Sequence, residues 1–180
     1  MPIGWIPHVF RIINDRNRNW LTFHGAIKLN PLGSCSPNVF SFHTFAADVI
    51  SIYSDAYTDI ATNYNPGWGQ AGTVNTAFDP GDGNNVMLYS NFNYQGTVLT
   101  VTDFSTMEYL HVDYYTEDAT SLQLYLIAGG EVAYDITATE VITTGQWVSI
   151  DIPMSAYGSL TLTAANQFKT TGDGTVWLDN

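Results

Sequence analysis

The chain has 180 residues, 45% apolar and only 12% charged, which suits a single domain with a real hydrophobic core. Five basic residues face 17 acidic ones, and the net charge of −12 argues against nucleic acid and against an anionic membrane surface as partners. The single cysteine excludes a disulfide framework and a cysteine-rich zinc site, and no apolar run is long enough for a membrane span or a signal peptide.

The character of the chain changes near residue 46. Residues 1–46 hold four basic residues, one acid, three of the four histidines and Cys35, whereas residues 47–180 hold 16 acids and one base. The first part shows no sustained hydrophobic period, and three interpretations remain open: a poorly ordered leader, an extra segment that packs on the domain, or a wrongly assigned gene start. We place no function there and expect residues 1–46 to contribute little to the core.

From Asp48 onward the hydrophobic period is two and turn residues recur at short intervals, which is typical of an all-β domain. No segment has the pattern of an amphipathic helix. Strands are predicted at Val49–Tyr53, Val74–Phe78, Asn85–Ser90, Tyr109–Tyr115, Leu122–Ile127, Val132–Thr139, Trp147–Ile152, within Leu160–Lys169, and at Val176–Leu178. This pattern predicts an antiparallel two-sheet β-sandwich, a jelly roll, over residues 47–180, preceded by an irregular N-terminal extension.

Two predicted strands carry aromatic and polar side chains opposite their Leu and Val positions. If Tyr109–Tyr115 and Leu122–Ile127 pair as neighbours, these side chains share one outer sheet face. Aromatic rings beside amides and carboxylates suit a sugar, because a ring stacks on its CH face and polar groups bind its hydroxyls. The alternative is that Tyr and Thr simply favour strands.

Two stretches rich in Gly and Asn, Asn65–Gln70 and Asn91–Gly96, are predicted loops, each with one large ring, Trp68 or Tyr94. Such a ring is suited to lie flat on a sugar, although Trp68 could instead plug one end of the sandwich. The predicted carbohydrate-binding residues are Trp68, Asn91, Tyr94, His111, Asp113, Tyr115, Gln123 and Tyr125.

Four stretches carry a resemblance to a known family: Asp48–Asp59 with Asn65–Gln70, Leu88–Gly96, Met107–Asp113 and Val176–Asn180. They resemble the non-catalytic β-sandwich modules attached to secreted polysaccharide hydrolases of marine Bacteroidetes, whose usual neighbours are laminarinase-type glycoside hydrolases of family 16. The resemblance covers residues 47–180. It implies a secreted or cell-surface, monomeric jelly-roll module of a larger protein, which targets the enzyme to a glycan such as a β-glucan.

The resemblance also implies a structural calcium ion that joins an acid just after the first strand to an acid in the last strand. The matching positions are Asp55 and Asp179, with Asp59 as a further candidate. Calcium binds six to eight oxygens and could connect the two chain ends of a sandwich. The alternative is that these acids are ordinary solvated turn residues.

Two features depart from the family pattern. Related modules continue past the last Asp-Asn pair with apolar residues that complete the final strand, so a chain that stops at Asn180 looks truncated there. Residues 1–46 match nothing in the family.

Known catalytic patterns are not found in the sequence. The Glu-x-Asp-x-Glu pattern of family 16 hydrolases is missing, and the adjacent acids Glu117 and Asp118 fall at a predicted turn. A Ser-His-Asp triad in residues 47–180 would have to use His111. Non-catalytic carbohydrate binding is therefore the leading hypothesis. The alternatives are a structural or adhesive sandwich without glycan affinity and a small glycoside hydrolase with a convergent carboxylate pair.

Overall fold

The structure, a computed structural model, describes residues 10–13, 49–81, 83–139 and 141–179. Over these ranges the chain forms two antiparallel β-sheets with one shared hydrophobic core. The predicted all-β sandwich of the jelly-roll kind is confirmed. In the same ranges, no helix has the length and apolar character needed to cross a membrane.

The strands follow one another with short connections. They are β1 (Phe10–Ile13), β2 (Val49–Tyr53), β3 (Thr62–Asn63), β4 (Thr73–Phe78), β5 (Val86–Ser90), β6 (Tyr94–Thr102), β7 (Tyr109–Thr116), β8 (Leu122–Ile127), β9 (Glu131–Asp135), β10 (Val148–Pro153), β11 (Ala165–Gly172) and β12 (Val176–Asp179). A single helical turn, α1 (Ile136–Thr139), follows β9, and two 3₁₀ turns, Met154–Tyr157 and Leu162–Ala164, lie between β10 and β11.

We call the two layers sheet A and sheet B. In the described residues, sheet A has the order β2-β1-β7-β12-β5-β4, and β10 pairs with the other edge of β7. Sheet B has the order β3-β6-β11-β8-β9. Apolar alternation places the inner side chains of both sheets in the core, as Leu110 on β7 and Leu126 on β8 show with no exposed surface.

Three predicted elements differ from the structure. The stretch around Tyr94 is the start of β6 and not a loop, because Thr and Val residues after Gly96 extend it into a long strand. The strand predicted at Val132–Thr139 ends at Asp135, where α1 begins with the fully buried Ile136. The strand expected within Leu160–Lys169 is β11, which begins at Ala165 and continues beyond Lys169 to Gly172.

The position of β1 is informative about residues 1–46. Arg11 pairs with His111 on the edge of β7 where Asp179 pairs with Asp113. In an antiparallel pair, each step forward along one strand is a step backward along the other. His111 lies two residues before Asp113, so Arg11 takes the place that a residue two positions after Asp179 would have. Four residues of the extension thus continue the line of β12 inside sheet A. This backbone pairing fits the interpretation of an extra segment that packs on the domain, while the small contribution of residues 1–46 to the core stays a prediction.

The predictions that concern Cys35 and the three histidines of residues 1–46 lie outside the described residues, and so does the prediction that concerns Asn180.

Candidate functional site

The predicted binding residues separate into two groups, because β7 belongs to sheet A and β8 to sheet B. The predicted pairing of these two strands is therefore wrong. Alternation defines which side chains point outward, but in a sandwich the chain often passes from one sheet to the other between consecutive strands. The outward side chains of β7 and β8 thus lie on opposite sides of the molecule.

The outer face of sheet B, which we call the sheet B face, brings four of the predicted residues together: Trp68, Tyr94, Gln123 and Tyr125. Directly paired residues of neighbouring strands point to the same side. One row crosses four strands through Tyr94, Thr171, Gln123 and Asp135, and the next row passes through Gly96, Lys169, Tyr125 and Ala133.

Trp68 lies flat on this face. A Cβ added to Gly96 would come within 2.3–2.6 Å of three adjacent atoms of the Trp68 six-membered ring, so the ring rests directly on the Gly96 backbone. Only glycine permits this approach. The opposite face of the half-buried ring is turned away from the sheet.

The loop that carries Trp68 has a defined shape. Gly67 and Gly69 have φ angles of 71° and 84°, a conformation that other residues rarely adopt. Gln70 Nε2 donates to Asn65 Oδ1 at 2.6 Å and closes the loop. The Tyr94 hydroxyl donates to the Trp68 carbonyl at 2.7 Å and ties the loop to β6. Trp68 is thus held on the face rather than inserted as a plug between the sheets.

A row of polar groups runs beside the aromatic residues. Gln123 Nε2 donates to Asp135 Oδ2 at 2.8 Å, while Gln123 Oε1 accepts from the hydroxyls of Tyr125 at 2.9 Å and Thr171 at 3.1 Å. The hydrogen bond from Gln123 is the largest influence on Asp135 and holds the pKa of this carboxyl below its usual value. Asp135 is therefore ionised at neutral pH and remains a hydrogen-bond acceptor.

Sequence reasoning missed Lys169, Thr171, Glu131 and Asp135 on this face. Lys169 Nζ lies 2.6 Å from Glu131 Oε1 and 4.0 Å from the centroid of the Tyr125 ring. The signal was present in the alternation of Lys169 and Thr171 with the buried Phe168 and Thr170. The sequence analysis missed this alternation because the predicted strand ends at Lys169 and does not include Thr171.

The second group of predicted residues lies on the outer face of sheet A. His111 Nδ1 is 2.7 Å from Asp151 Oδ1, and His111 Nε2 is 3.6 Å from Asp113 Oδ1. Burial lowers the pKa of His111, but the hydrogen bonding and negative charge of Asp113 and Asp151 raise it more, so its pKa lies above the usual value. The Asp113 side chain has no exposed surface and is not placed to contact a glycan.

Tyr115 and Asn91 are also separate from the sheet B group. The Tyr115 ring packs between Trp147, at 5.8 Å, and Trp177, at 5.4 Å, with interplanar angles of 49° and 78°. These tilted rings stabilise one another and do not form a flat platform. Asn91 is exposed in the turn between β5 and β6, with a left-handed φ of 50°.

The three acids proposed for calcium are engaged with protein donors. Asp59 accepts hydrogen bonds from the Ser51 hydroxyl at 2.5 Å, the Ser54 amide at 3.3 Å and the Tyr64 hydroxyl at 3.2 Å, which makes it a structural acceptor. The part of the chain that the structure describes contains no group of three or more His, Cys, Asp or Glu side chains arranged to hold a metal.

Asp55 and Asp179 are better suited than Asp59 to share a calcium ion. Asp55 Oδ2 accepts from the Asn85 amide at 3.3 Å, and Asp179 Oδ2 accepts from Asn84 Nδ2 at 2.8 Å. Burial and then the charges of Asp179 and Asp55 raise the pKa of Tyr53. The two carboxylates thus lie near one tyrosine and bind consecutive asparagines. Their donor types fit calcium if amide, backbone and water oxygens complete the coordination.

Comparisons with known proteins give limited similarity. No protein-family model matches the sequence, and no curated protein matches it. A family 11 carbohydrate-binding module from Clostridium thermocellum, solved with a β-1,3-1,4-mixed-linked tetrasaccharide, has a TM-score of 0.45 and 18% identity over 67% of this chain and 85% of its own. A family 30 carbohydrate-binding module of a cellulosomal cellulase of the same organism has a TM-score of 0.45 and 16% identity over 66% and 87%. An arabinose-bound α-L-arabinofuranosidase has a TM-score of 0.35 and 16% identity over 66% and 22%.

Proposed function

We propose that the sheet B face binds a polysaccharide without catalysis, and that the domain is a monomeric module that targets a secreted polysaccharide-degrading enzyme to a glycan such as a β-glucan. The observation that carries this proposal is Trp68, whose ring lies flat on Gly96 with its other face turned outward. A sugar ring can stack its CH face on such a surface.

The polar groups beside Trp68 suit the hydroxyls of the same ligand. Gln123, Thr171 and Asp135 supply donors and acceptors along one row of the sheet, and the Tyr125 hydroxyl reaches Gln123 from the next row. Their mutual hydrogen bonds fix their positions before any ligand binds, which lowers the entropy lost on binding. Because an open face buries little of a ligand, we expect weak affinity.

A specific observation makes hydrolysis the less favoured alternative. Asp113 and Asp179 are directly paired carboxylates on sheet A, but they are only 0% and 4% exposed and cannot flank a glycosidic bond. The adjacent acids Glu117 and Asp118 bind the Tyr115 hydroxyl and the Thr175 amide. A structural or adhesive domain would share this fold but would show no glycan affinity.

The test is affinity electrophoresis in gels that contain soluble β-glucans, together with a glycan array and a reducing-sugar assay. We expect Trp68→Ala to weaken binding at least tenfold, about 1.4 kcal/mol, while the protein stays folded. Tyr125→Ala should also weaken binding about tenfold. Gly96→Ala should weaken it as well, because the new Cβ must displace the Trp68 ring.

Tyr115→Ala is the matched control, since it removes an aromatic ring from the opposite side of the sandwich and should leave glycan binding unchanged. Retention of the wild-type mobility shift by folded Trp68→Ala and Tyr125→Ala variants would contradict the placement of the site. Absence of binding to every glycan would favour a structural domain, and release of reducing sugar would favour a hydrolase.

A further inference from the structure

The only basic residue of residues 47–180, Lys169, lies on the central strand of sheet B, with its side chain on the sheet B face. Residues 47–180 contain 16 acidic residues and a single basic one, Lys169. On β11, Lys169 pairs with Gly96 of β6 on one side, where Trp68 rests, and with Tyr125 of β8 on the other. The only Lys or Arg of residues 47–180 therefore lies between the two main aromatic residues of the proposed site.

The charge of Lys169 is balanced within the face. Its side chain extends over the Tyr125 ring of the neighbouring strand β8. It reaches Glu131 on β9, the strand beyond β8, with an Nζ–Oε1 distance of 2.6 Å. The side chains are 20% and 45% exposed, so both remain accessible to a ligand. Asp135 adds a second carboxylate on β9, and the three groups together carry a net negative charge.

We propose that the Lys169–Glu131 pair makes the sheet B face selective for uncharged polysaccharides, an inference that rests on the proposed glycan binding. A uronic acid or a sulfated sugar beside Tyr125 would bring a second anion to Lys169 while Glu131 remains in contact with it. That anion would also meet the repulsion of Glu131 and Asp135. An uncharged sugar meets neither obstacle.

Sugar hydroxyl groups can form hydrogen bonds with Lys169 and Glu131 without separating the two side chains. The Lys169 ammonium has three N–H donors, and an ionised Glu131 carboxylate can accept several hydrogen bonds, so both can bind hydroxyls while they remain in contact. Salt limits the reach of charges to about 10 Å at 0.1 M ionic strength. The selectivity therefore depends on the carboxylates of this face more than on the net charge of the whole protein.

The experiment compares each soluble glucan that binds with its carboxymethylated form, by affinity electrophoresis or calorimetry in 0.1 M NaCl. We expect the wild-type protein to bind the neutral polymer at least tenfold more tightly than the carboxymethylated one. Glu131→Gln removes one anion and releases Lys169, so the ratio should fall to about threefold or less. Lys169→Met removes the cation and should increase the ratio.

Asp103→Asn is the matched control. It also removes one exposed negative charge, but Asp103 follows the far end of β6. There Thr102 pairs with Ala165, which lies four residues, or about 13 Å, along β11 from Lys169. We expect its ratio to equal that of the wild type. Melting curves establish that each variant is folded.

Three results would contradict the proposals, and they can be told apart. Equal wild-type affinity for neutral and carboxymethylated glucan would overturn the charge selectivity alone. If the ratio of neutral to carboxymethylated affinity were the same in Glu131→Gln, Lys169→Met and Asp103→Asn, the Lys169–Glu131 pair would not be the cause of the selectivity. Failure to bind any neutral polysaccharide would instead contradict the proposed function.

Discussion

At the scale of single residues, His111 shows how the structure changes the meaning of a sequence feature. It is the only histidine of residues 47–180 and was predicted to contact a sugar. The structure places it between Asp113 and Asp151 on sheet A, away from the sheet B face. Its raised pKa means that the protonated form is stabilised in the folded state, so His111 acts as an internal cation.

This arrangement predicts a pH-dependent contribution to stability. The folded pKa lies above the unfolded value of about 6.5, so the contribution is fully present below about pH 6.5 and is lost as pH rises through the folded pKa. We expect His111→Gln to lower the melting temperature by about 3–6 °C at pH 6, which corresponds to about 1–2 kcal/mol. The difference should shrink by pH 9.

Thermal melting of wild type and His111→Gln from pH 5.5 to pH 9 measures this effect. A control variant, Tyr115→Phe, alters the same strand without removing a group that titrates near neutral pH. A difference between wild type and His111→Gln that stays constant over the whole range would contradict the role of protonation.

At the scale of elements, β1 is the strand whose removal tests the sheet most directly. It lies between β2 and β7, so its backbone N–H groups face a neighbouring strand on either side. Proline is excluded from such central strands because it lacks the N–H donor. The pairing leads us to propose, contrary to our expectation from the sequence, that deletion of residues 1–46 lowers the stability of the domain.

We expect Ile12→Pro in the full chain to lower the melting temperature by about 6–12 °C. Proline removes a hydrogen bond of the ladder, and we take its cost to be similar to the cost of about 3 kcal/mol in a helix interior. Ile12→Val keeps the N–H group and should change the melting temperature much less. Deletion of residues 1–46 should destabilise the domain at least as much as the proline. Identical melting curves for all three would show that β1 does not pair in sheet A in solution.

At the scale of the whole molecule, the proposed calcium ion would connect the beginning and the end of the sandwich. Asp55 follows β2, and Asp179 ends β12. Their hydrogen bonds to the consecutive residues Asn84 and Asn85 bring these distant parts of the chain to the same turn before β5. An ion held there would stabilise the native state only, because the unfolded chain separates its ligands.

We expect the melting temperature to be higher in millimolar calcium than in EDTA. At a calcium concentration one hundred times the dissociation constant, the free energy of unfolding should rise by about 2.7 kcal/mol. Asp55→Ala should remove this difference, whereas Asp59→Asn should keep it, because Asp59 is occupied by Ser51 and Tyr64. Equal melting temperatures of the wild type in calcium and in EDTA would contradict a calcium site.

Local alternation was sufficient to predict much of the fold. The period of two identified the core side chains of β7 and β8 and the outward position of Tyr115, Gln123 and Tyr125, because each of these depends only on residues nearby in sequence. The glycines around Trp68 correctly indicated a loop with an unusual backbone. The fold class and the outward position of these side chains follow from such local patterns, while their role in binding stays a prediction.

Strand neighbours were decided by the tertiary structure. Whether β8 pairs with β7 or with β11 depends on contacts between residues far apart in sequence, and a period of two is compatible with either arrangement. The same long-range packing places Trp68 on Gly96, joins Lys169 to Glu131 and inserts β1 beside β7. These contacts form only when the two sheets close over a common core, so no segment of the sequence carries them alone.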